Sequence, residues 1–291
     1  MKRVRILAAT LSFLVLLAML VGCAGPKSIF PDKNLEAAIR DALGKPVGEK
    51  ITAAELANLT SISVDSRAIT DLTGLENCVN LQELTLATNN INDISSLAGL
   101  TTLQGLTVNN NSISDISDLA GLTNLEWLAL GDNGISDISV LAGLTNLKWL
   151  YLSNNNISDI SALAGLINLT WLYLGNNNIS DLSALAGLTN LKWLYLGNNN
   201  ISDISALAGL TNLWFLNLGN NNISNISALA GLTNLDWLYL DRNNISDISP
   251  LVANSELWTD DTVDLRFNPL SATSINVHIP ELEARKVTVK Y

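Results

Sequence analysis

The 291-residue chain has little of what most enzymes and nucleic-acid-binding proteins need. It contains one histidine, His278, and two cysteines, and its 16 basic residues are outnumbered by 27 acidic ones. Nucleic acids require a basic surface, which this charge balance excludes. No glycine-rich phosphate loop, catalytic motif or metal-ligand spacing occurs, and a lone histidine near the C-terminus is typical of a packed or surface residue. We therefore expect no enzyme, no cofactor, no metal and no nucleic-acid partner.

Long apolar runs are also absent after the first two dozen residues. The one such run, residues 6–21, follows three basic residues and ends in Leu20-Val21-Gly22-Cys23. A basic start, a short apolar centre and small residues at the end are typical of a secretory signal. The last four residues also resemble the bacterial lipobox, which implies cleavage before Cys23 and a lipid on its sulfur. An ordinary signal or a membrane helix are the alternatives, although the run is short for a span.

With the lipobox interpretation, residues 1–22 are a lipoprotein signal peptide and residues 23–30 a tether. Removal of the signal leaves 13 basic and 27 acidic residues, a net charge of 13 − 27 = −14. Such a charge is ordinary for an exported soluble domain. We expect the protein to face outside the cytoplasm, held to a bacterial membrane through lipidated Cys23, because two or more acyl chains anchor a protein stably.

The rest of the chain is dominated by a repeat of 22 residues. Nine copies span residues 59–256 and begin at Leu59, Leu81, Leu103, Leu125, Leu147, Leu169, Leu191, Leu213 and Leu235. Within a copy, alternating apolar positions 4 and 6 predict a short strand, and positions 11, 14 and 17 have the spacing of a tight helical turn. The glycine at position 19, such as Gly209, is expected to end that turn in a left-handed conformation. A fixed period of this length predicts a solenoid of stacked coils.

Asparagine occupies position 9 in eight copies, between apolar residues at a bend. Its amide is expected to satisfy backbone groups that the bend leaves unpaired, as a ladder through the stack. The pattern LxxLxLxxNxIxDIxxLxxL resembles the leucine-rich repeat, and ISDISALAGLTNL is similar to the 22-residue class of bacterial internalins. The resemblance implies an α/β solenoid, a right-handed curved array with a parallel concave sheet and short 3-10 turns on the convex side.

Both ends of the array are expected to be capped. Residues 31–58 predict a helical N-terminal cap, with one helix between Asp32 and Gly44 and a second opened by a Thr52–Glu55 capping box. Residues 257–291 predict a degenerate repeat and a C-terminal cap. The internalin cap has been likened to a calcium-binding hand, but the Gly and Glu that such a loop needs are Ala37 and Leu43 here, so no calcium site follows.

Aspartate recurs at position 13 in eight copies, and Asn225 replaces it once. An acidic track for cations is one interpretation. The other, which we favour, is that each side chain caps the helical turn that it precedes, because Asn225 would cap equally well but bind a cation poorly.

Aromatic residues make up only 5% of the chain, yet most of them occupy two positions of the repeat. Positions 3 and 5 are out of phase with the apolar positions and so point away from the core. They carry Trp127, Trp149, Tyr151, Trp171, Tyr173, Trp193, Tyr195, Phe215, Trp237 and Tyr239. Position 7 beside them is mostly Gly or Ser. These ten residues are predicted to form one exposed strip on the concave face of copies four to nine, and exposed apolar surface of this kind usually binds a partner.

Two explanations without a ligand stay open. Stacked rings can stabilise neighbouring strands, and recent duplication copies residues without selecting each one. The favoured function is a cell-surface binding protein or adhesin that holds an extracellular or envelope protein on the concave face, expected to act as a monomer. A glycan-binding module that stacks sugars on the same rings is the alternative.

Overall fold

A computed structural model describes residues 28–258 and 260–291 of the chain; the predicted signal, Cys23 and most of the tether lie outside these residues. The described chain forms one sheet of eleven parallel strands in sequence order, β1 to β11. The strands are β1 Ser61–Ser63, β2 Glu83–Thr85, β3 Gly105–Thr107, β4 Trp127–Ala129, β5 Trp149–Tyr151, β6 Trp171–Tyr173, β7 Trp193–Tyr195, β8 Phe215–Asn217, β9 Trp237–Tyr239, β10 Thr262–Asp264 and β11 Thr288–Lys290. This open, curved sheet confirms the predicted solenoid.

Each strand has only three residues because each coil turns away at both ends. The middle residue of a strand, such as Leu194 in β7, is fully buried, and the residues on either side face outward. Neighbouring strands pair in register, so that equivalent residues of successive copies lie beside each other. The leucines and isoleucines of all copies consequently form one continuous core along the array.

On the side opposite the sheet, each coil contains a short helical turn. Eight are 3-10 turns: Leu75–Asn77, Ser95–Leu97, Ser117–Gly121, Ser139–Gly143, Ser161–Leu163, Ser183–Leu185, Ser205–Leu207 and Ser227–Gly231; the ninth is the α-helix α3, Ser249–Ala253. The oxygen of the position-13 side chain accepts the backbone N–H two residues further on. The Asp159–Ser161 bond is 2.8 Å long, and Asn225 makes the same bond to Ser227 at 2.9 Å. Capping by position 13 is therefore confirmed.

The left-handed residue of each coil is not the glycine that the repeat pattern suggested. Among the described residues, no glycine at position 19 has a positive φ, so the expected role of Gly209 is wrong. The left-handed residue stands at position 8, where the chain leaves the strand: φ is 55° at Asn176 and 58° at Asn198. Asparagine tolerates this region better than most residues with a side chain. The turn at position 19 has ordinary backbone angles and needs no glycine.

The predicted asparagine ladder runs through the array at position 9. Asn177, 8% exposed, accepts the N–H of Ile157 at 3.0 Å through Oδ1. Its Nδ2 donates to the carbonyls of Leu152 and Leu174, both at 3.0 Å. The pattern recurs from Asn89 to Asn243. The hydrogen-bond ladder is thereby confirmed.

A second amide ladder was not predicted. The asparagine at position 22 donates to a carbonyl of the preceding coil 23 residues earlier. Asn190 bonds Ile167 O at 2.9 Å, and Asn212 bonds Thr189 O at 2.7 Å. These bonds join the segments that return to the sheet in neighbouring coils. The Thr-Asn-Leu sequence of this segment did not by itself indicate a bonded amide.

Helices close both ends. Helix α1, Lys33–Leu43, is capped by Asp32, ends at left-handed Gly44 and precedes α2, Ala53–Leu56, which has the expected capping box. At the other end, a π-helical turn, Ser274–His278, leads into α4, Ile279–Ala284, and β11 pairs with β10. Within residues 28–258 and 260–291, no helix has both the length and the apolarity to cross a membrane.

Candidate aromatic binding face

The ten aromatic residues predicted to face outward lie on the outer face of strands β4 to β9. In register, Trp149 pairs with Trp171, Trp171 with Trp193, and Trp193 with Phe215. The leucine between the two aromatic positions of each strand is buried beneath them. The rings are half-buried by one another and do not enter the leucine core. We call these ten residues together with Trp214 the aromatic strip.

Most rings of the aromatic strip contact another ring. Trp193 and Phe215 stack face to face, with centroids 3.8 Å apart and planes 4° from parallel. Tyr151 and Tyr173 lie 5.5 Å apart, and Trp149 lies 6.0 Å from each of them. Aromatic pairs at such distances contribute about 0.5–1.5 kcal/mol beyond their burial. The strip is thus a packed and largely pre-ordered surface.

Trp171, like Trp127 and Tyr195, contacts no other ring of the aromatic strip, and Trp171 is the most exposed of the three. Its neighbours in register are engaged elsewhere, since Trp149 stacks with Tyr151 and Trp193 with Phe215. Trp171 makes none of the ring contacts and is 41% exposed, the most exposed ring of the strip, followed by Trp237 at 36%. An exposed indole that no other ring covers therefore stands in the middle of the aromatic strip.

Small residues make room for the rings. A Cβ on Gly131 would fall within the ring of Tyr151, and a Cβ on Gly175 within the ring of Tyr195. Gly105 stands in the same relation to Trp127. These rings therefore lean over the preceding coil, and glycine is required there by space rather than by backbone angle. The small residues noted at position 7 form the floor on which the tyrosines lie.

One member of the aromatic strip could not be found from alternation. Trp214 occupies position 2, which carries Lys192 and Asp236 in the neighbouring copies. Its ring lies 5.3 Å from that of Trp193 and 4.7 Å from that of Trp237. Position 2 lies before the strand, where the chain is still turning, so the period of two does not apply to it. Its carbonyl accepts two N–H groups, those of Asp236 and Trp237.

An exposed row of carboxamides borders the aromatic strip where the strands end. Its members are the left-handed position-8 residues Asn154, Asn176, Asn198 and Asn220. Asn154 donates to Asp132 at 2.9 Å and Asn220 to Asn198 at 2.7 Å. The sequence did not predict this polar border or the second amide ladder. Three consecutive asparagines, such as those at 176–178, do not show by themselves which side chain is buried and which is exposed.

The charge on this face differs from that of the whole chain. At the outward positions 2, 3, 5, 7 and 8 of copies five to eight, the charged residues are Lys148 and Lys192. Lys148 pairs with Glu126 of copy four at 2.7 Å, both side chains being well exposed. Burial raises the pKa of Tyr151 and of Tyr173, so both phenols keep their protons and can donate hydrogen bonds at neutral pH.

The histidine and the buried cysteine of the described residues lie outside the aromatic strip. No three His, Cys, Asp or Glu side chains of residues 28–258 and 260–291 come together as metal ligands. His278 Nδ1 lies 3.9 Å from Asp247 Oδ1, which caps helix α3 on the side opposite the sheet. Burial raises the pKa of the Cys78 thiol to about 11, which leaves it protonated and unreactive.

Two family models match the chain. One, described as leucine-rich repeats in two copies, matches residues 145–187 and 189–231; the other, a leucine-rich repeat, matches residues 79–135 and 101–157. No curated protein matches the chain at a significant level.

Solved structures give a closer likeness. Internalin C2 of Listeria monocytogenes is 42% identical, with a TM-score of 0.70 over 71% of this chain and 92% of its own. Internalin F of the same organism is 32% identical, with a TM-score of 0.63 over 92% and 94%. A plant peptide hormone receptor, RGFR1 in complex with RGF2, is 24% identical over 75% of this chain and 38% of its own, with a TM-score of 0.63, and shares the fold.

Proposed function

Since the chain belongs to the internalin-type leucine-rich repeat proteins, we propose that it is an exported, lipid-anchored protein that captures a protein partner on the aromatic strip. Leucine-rich repeat arrays are in general binding scaffolds rather than enzymes. The observation that carries the proposal is the strip itself: eleven rings on one outward face, packed into a continuous surface that the array's own core does not use. Trp and Tyr concentrate where binding energy is concentrated.

The packing of the rings favours a protein over a glycan. A sugar stacks on a free ring face, and the faces of Trp193 and Phe215 are turned toward each other. A pre-ordered apolar surface instead suits the apolar side chains of a protein, because little side-chain freedom is lost on binding. The plant receptor of the same fold is in complex with RGF2, so an array of this kind can hold a peptide ligand.

A glycan is the second candidate, and the row of exposed carboxamides supports it. Asn176 follows Tyr173 by three residues in copy six, and Asn198 follows Tyr195 by three residues in copy seven. Rings bordered by amides are a common environment for sugars, since the amide can both donate and accept hydrogen bonds. A glycan array probed with the purified protein tests this candidate directly.

Capture of cell-surface proteins tests the main proposal. We compare wild-type protein with a variant in which Trp171, Tyr173, Trp193 and Tyr195 are all alanine. Trp258→Ala/Tyr291→Ala is the control, because both of these rings are well exposed and lie outside the strip. The strip variant should lose capture while its circular dichroism spectrum stays that of the wild type. Full capture by the strip variant would exclude the concave site.

Anchoring through Cys23 is tested separately. Cys23→Ser should move the protein from the membrane fraction to the soluble one and abolish incorporation of radiolabelled palmitate, since no thiol would remain at the lipobox. Continued membrane association without label would favour an uncleaved apolar segment, and hence a membrane helix.

A further inference from the structure

The distribution of charged residues in the repeats indicates which chemical class of protein segment the aromatic strip would bind. Residues 59–256 contain 17 acidic residues and only four basic ones, which are Arg67, Lys148, Lys192 and Arg242. The two lysines both occupy position 2, and they belong to copies five and seven. They stand on either side of copy six, which carries Trp171. The one stretch of the outward face with purely positive charge thus coincides with the centre of the aromatic strip.

Backbone bonds fix the two lysines against Trp171. The N–H groups of Thr170 and Trp171 donate to the Lys148 carbonyl at 2.8 and 3.2 Å. The N–H groups of Lys192 and Trp193 donate in turn to the Thr170 carbonyl at 2.9 and 3.1 Å. Each lysine therefore directly precedes a strand that neighbours the strand of Trp171, one on each side of it. The exposed indole and the two cations belong to three successive coils.

Neither cation is held by a strong internal partner. Lys192 is exposed and forms no ion pair within residues 28–258 and 260–291. The Lys148–Glu126 pair is exposed on both sides, and pairs of this kind contribute little and exchange readily. The other acidic neighbours, Asp132, Asp236 and Asp241, belong to copies four and nine, at the ends of the aromatic strip. Both ammonium groups are free to pair with groups on a ligand.

From this arrangement, which rests on the proposed function, we infer that the strip recognises an acidic protein segment that carries a flat apolar side chain. The flat side chain stacks on Trp171, and carboxylates on either side of it pair with Lys148 and Lys192. Two carboxylates held at a charged and partly desolvated site form stronger hydrogen bonds than neutral groups do. A cationic segment would meet both lysines across the face and be repelled.

Selection from a phage-displayed library of random 12-residue peptides tests the inference and does not require the natural ligand. The library is panned in parallel on wild-type protein, on Lys148→Gln/Lys192→Gln, on Trp171→Ala and on the control Lys50→Gln/Lys286→Gln. The control removes the same charge from exposed positions outside the strip. Synthetic copies of the enriched peptides are then titrated by calorimetry.

We expect wild-type and control proteins to enrich peptides in which Asp or Glu flanks an aromatic residue. Binding of these peptides should weaken at least tenfold in the lysine variant and be lost in Trp171→Ala. Enrichment of neutral or basic peptides that still need Trp171 would overturn the inference and leave the proposed function intact. Enrichment that ignores Trp171 and the rest of the strip, or no enrichment on any protein, would count against both. If the enriched peptides bound the wild type and the lysine variant with equal affinity, the lysines would have no role in binding and the inference would be wrong.

Discussion

Replacing Asn177 with alanine should destabilise the array by an amount that the hydrogen bonds determine. The Ile157 N–H has its acceptor in Asn177 Oδ1 and no other acceptor in the described residues. The Leu152 carbonyl, by contrast, keeps a donor in Asn155, and the Leu174 carbonyl keeps one in Asn199. Asn177 also donates to the Gly175 carbonyl at 3.3 Å, which keeps a donor in the Asn154 N–H. The substitution therefore leaves one buried N–H unpaired and removes one donor from each of three carbonyls that remain partnered.

The magnitude follows from that count. An unpaired buried donor costs about 1–3 kcal/mol, and the three carbonyls add little because each of them keeps another donor. We expect the free energy of unfolding to fall by about 2–3 kcal/mol for Asn177→Ala, measured by urea unfolding with tryptophan fluorescence. The matched control is Asn178→Ala, whose side chain is exposed; a surface change of this kind should stay within about 0.5 kcal/mol.

Asn177→Asp separates the acceptor from the donor. The carboxylate can still accept from Ile157 but faces the carbonyl oxygens of Leu152, Leu174 and Gly175, so its pKa in the folded state should be raised. A raised folded pKa means that the native state binds the proton more tightly, so the Asp variant should be more stable below the ordinary pKa of about 4 and lose stability as the pH rises. If Asn177→Ala matched Asn178→Ala, or if Asn177→Asp showed no such dependence, the ladder would not be a source of stability.

Three further predictions use the same unfolding assay. Asp159→Asn should lose less stability than Asp159→Ala, because Asn225 already makes the equivalent bond without a charge. Equal loss in both variants would show that the charge, and not the capping oxygen, carries the effect. Acid should weaken the array, because each position-13 carboxyl accepts the backbone N–H two residues further on, and this bond lowers the pKa of the carboxyl. The stability that depends on the ionised form is lost as the pH falls below about 4. A urea midpoint that did not change between pH 6 and pH 2 would contradict this prediction. The carboxyls concerned are Asp93, Asp115, Asp137, Asp159, Asp203 and Asp247. Gly187→Ala should raise the free energy of unfolding by about 0.4–1 kcal/mol, because a Cβ at Gly187 meets no atom and φ is not positive there. Gly175→Ala, by contrast, should displace the ring of Tyr195. If Gly187→Ala were destabilised, glycine at position 19 would have a structural role.

The fold could be predicted because its determinants repeat. Leucine recurs at positions 1, 4 and 6 of nearly every copy. Positions 3 and 5, which alternate with the buried leucines, are therefore expected to face outward in every copy. The buried amide at position 9 was predictable for the same reason, since a polar group among apolar ones must be bonded. The left-handed residue was misplaced because two positions suit it: Gly209 has the freer backbone, but Asn198 is where the chain leaves the strand.

The site was harder to predict than the fold, because its details come from contacts between copies. That Trp193 would stack on Phe215 and leave Trp171 free depends on how each ring leans, and one coil in isolation does not fix it. Trp214 was missed because position 2 belongs to neither the strand nor the turn. The need for Gly131 and Gly175 is likewise set by the tyrosine of the next coil.

The repeat divides its positions between two tasks. The leucines and both amide ladders engage the preceding and following coils and hold the array together. Positions 2, 3 and 5 project from the sheet, so their side chains can change with little effect on that scaffold. Position 7 stays small beneath the tyrosines, and position 8 keeps a left-handed backbone. This explains how a chain of near-identical coils can carry a polar first third, an aromatic centre flanked by two lysines, and Asp241 and Arg242 beyond it. Under the proposed function, recognition would depend on the order in which different outward residues are stacked, and a partner would contact several coils at once.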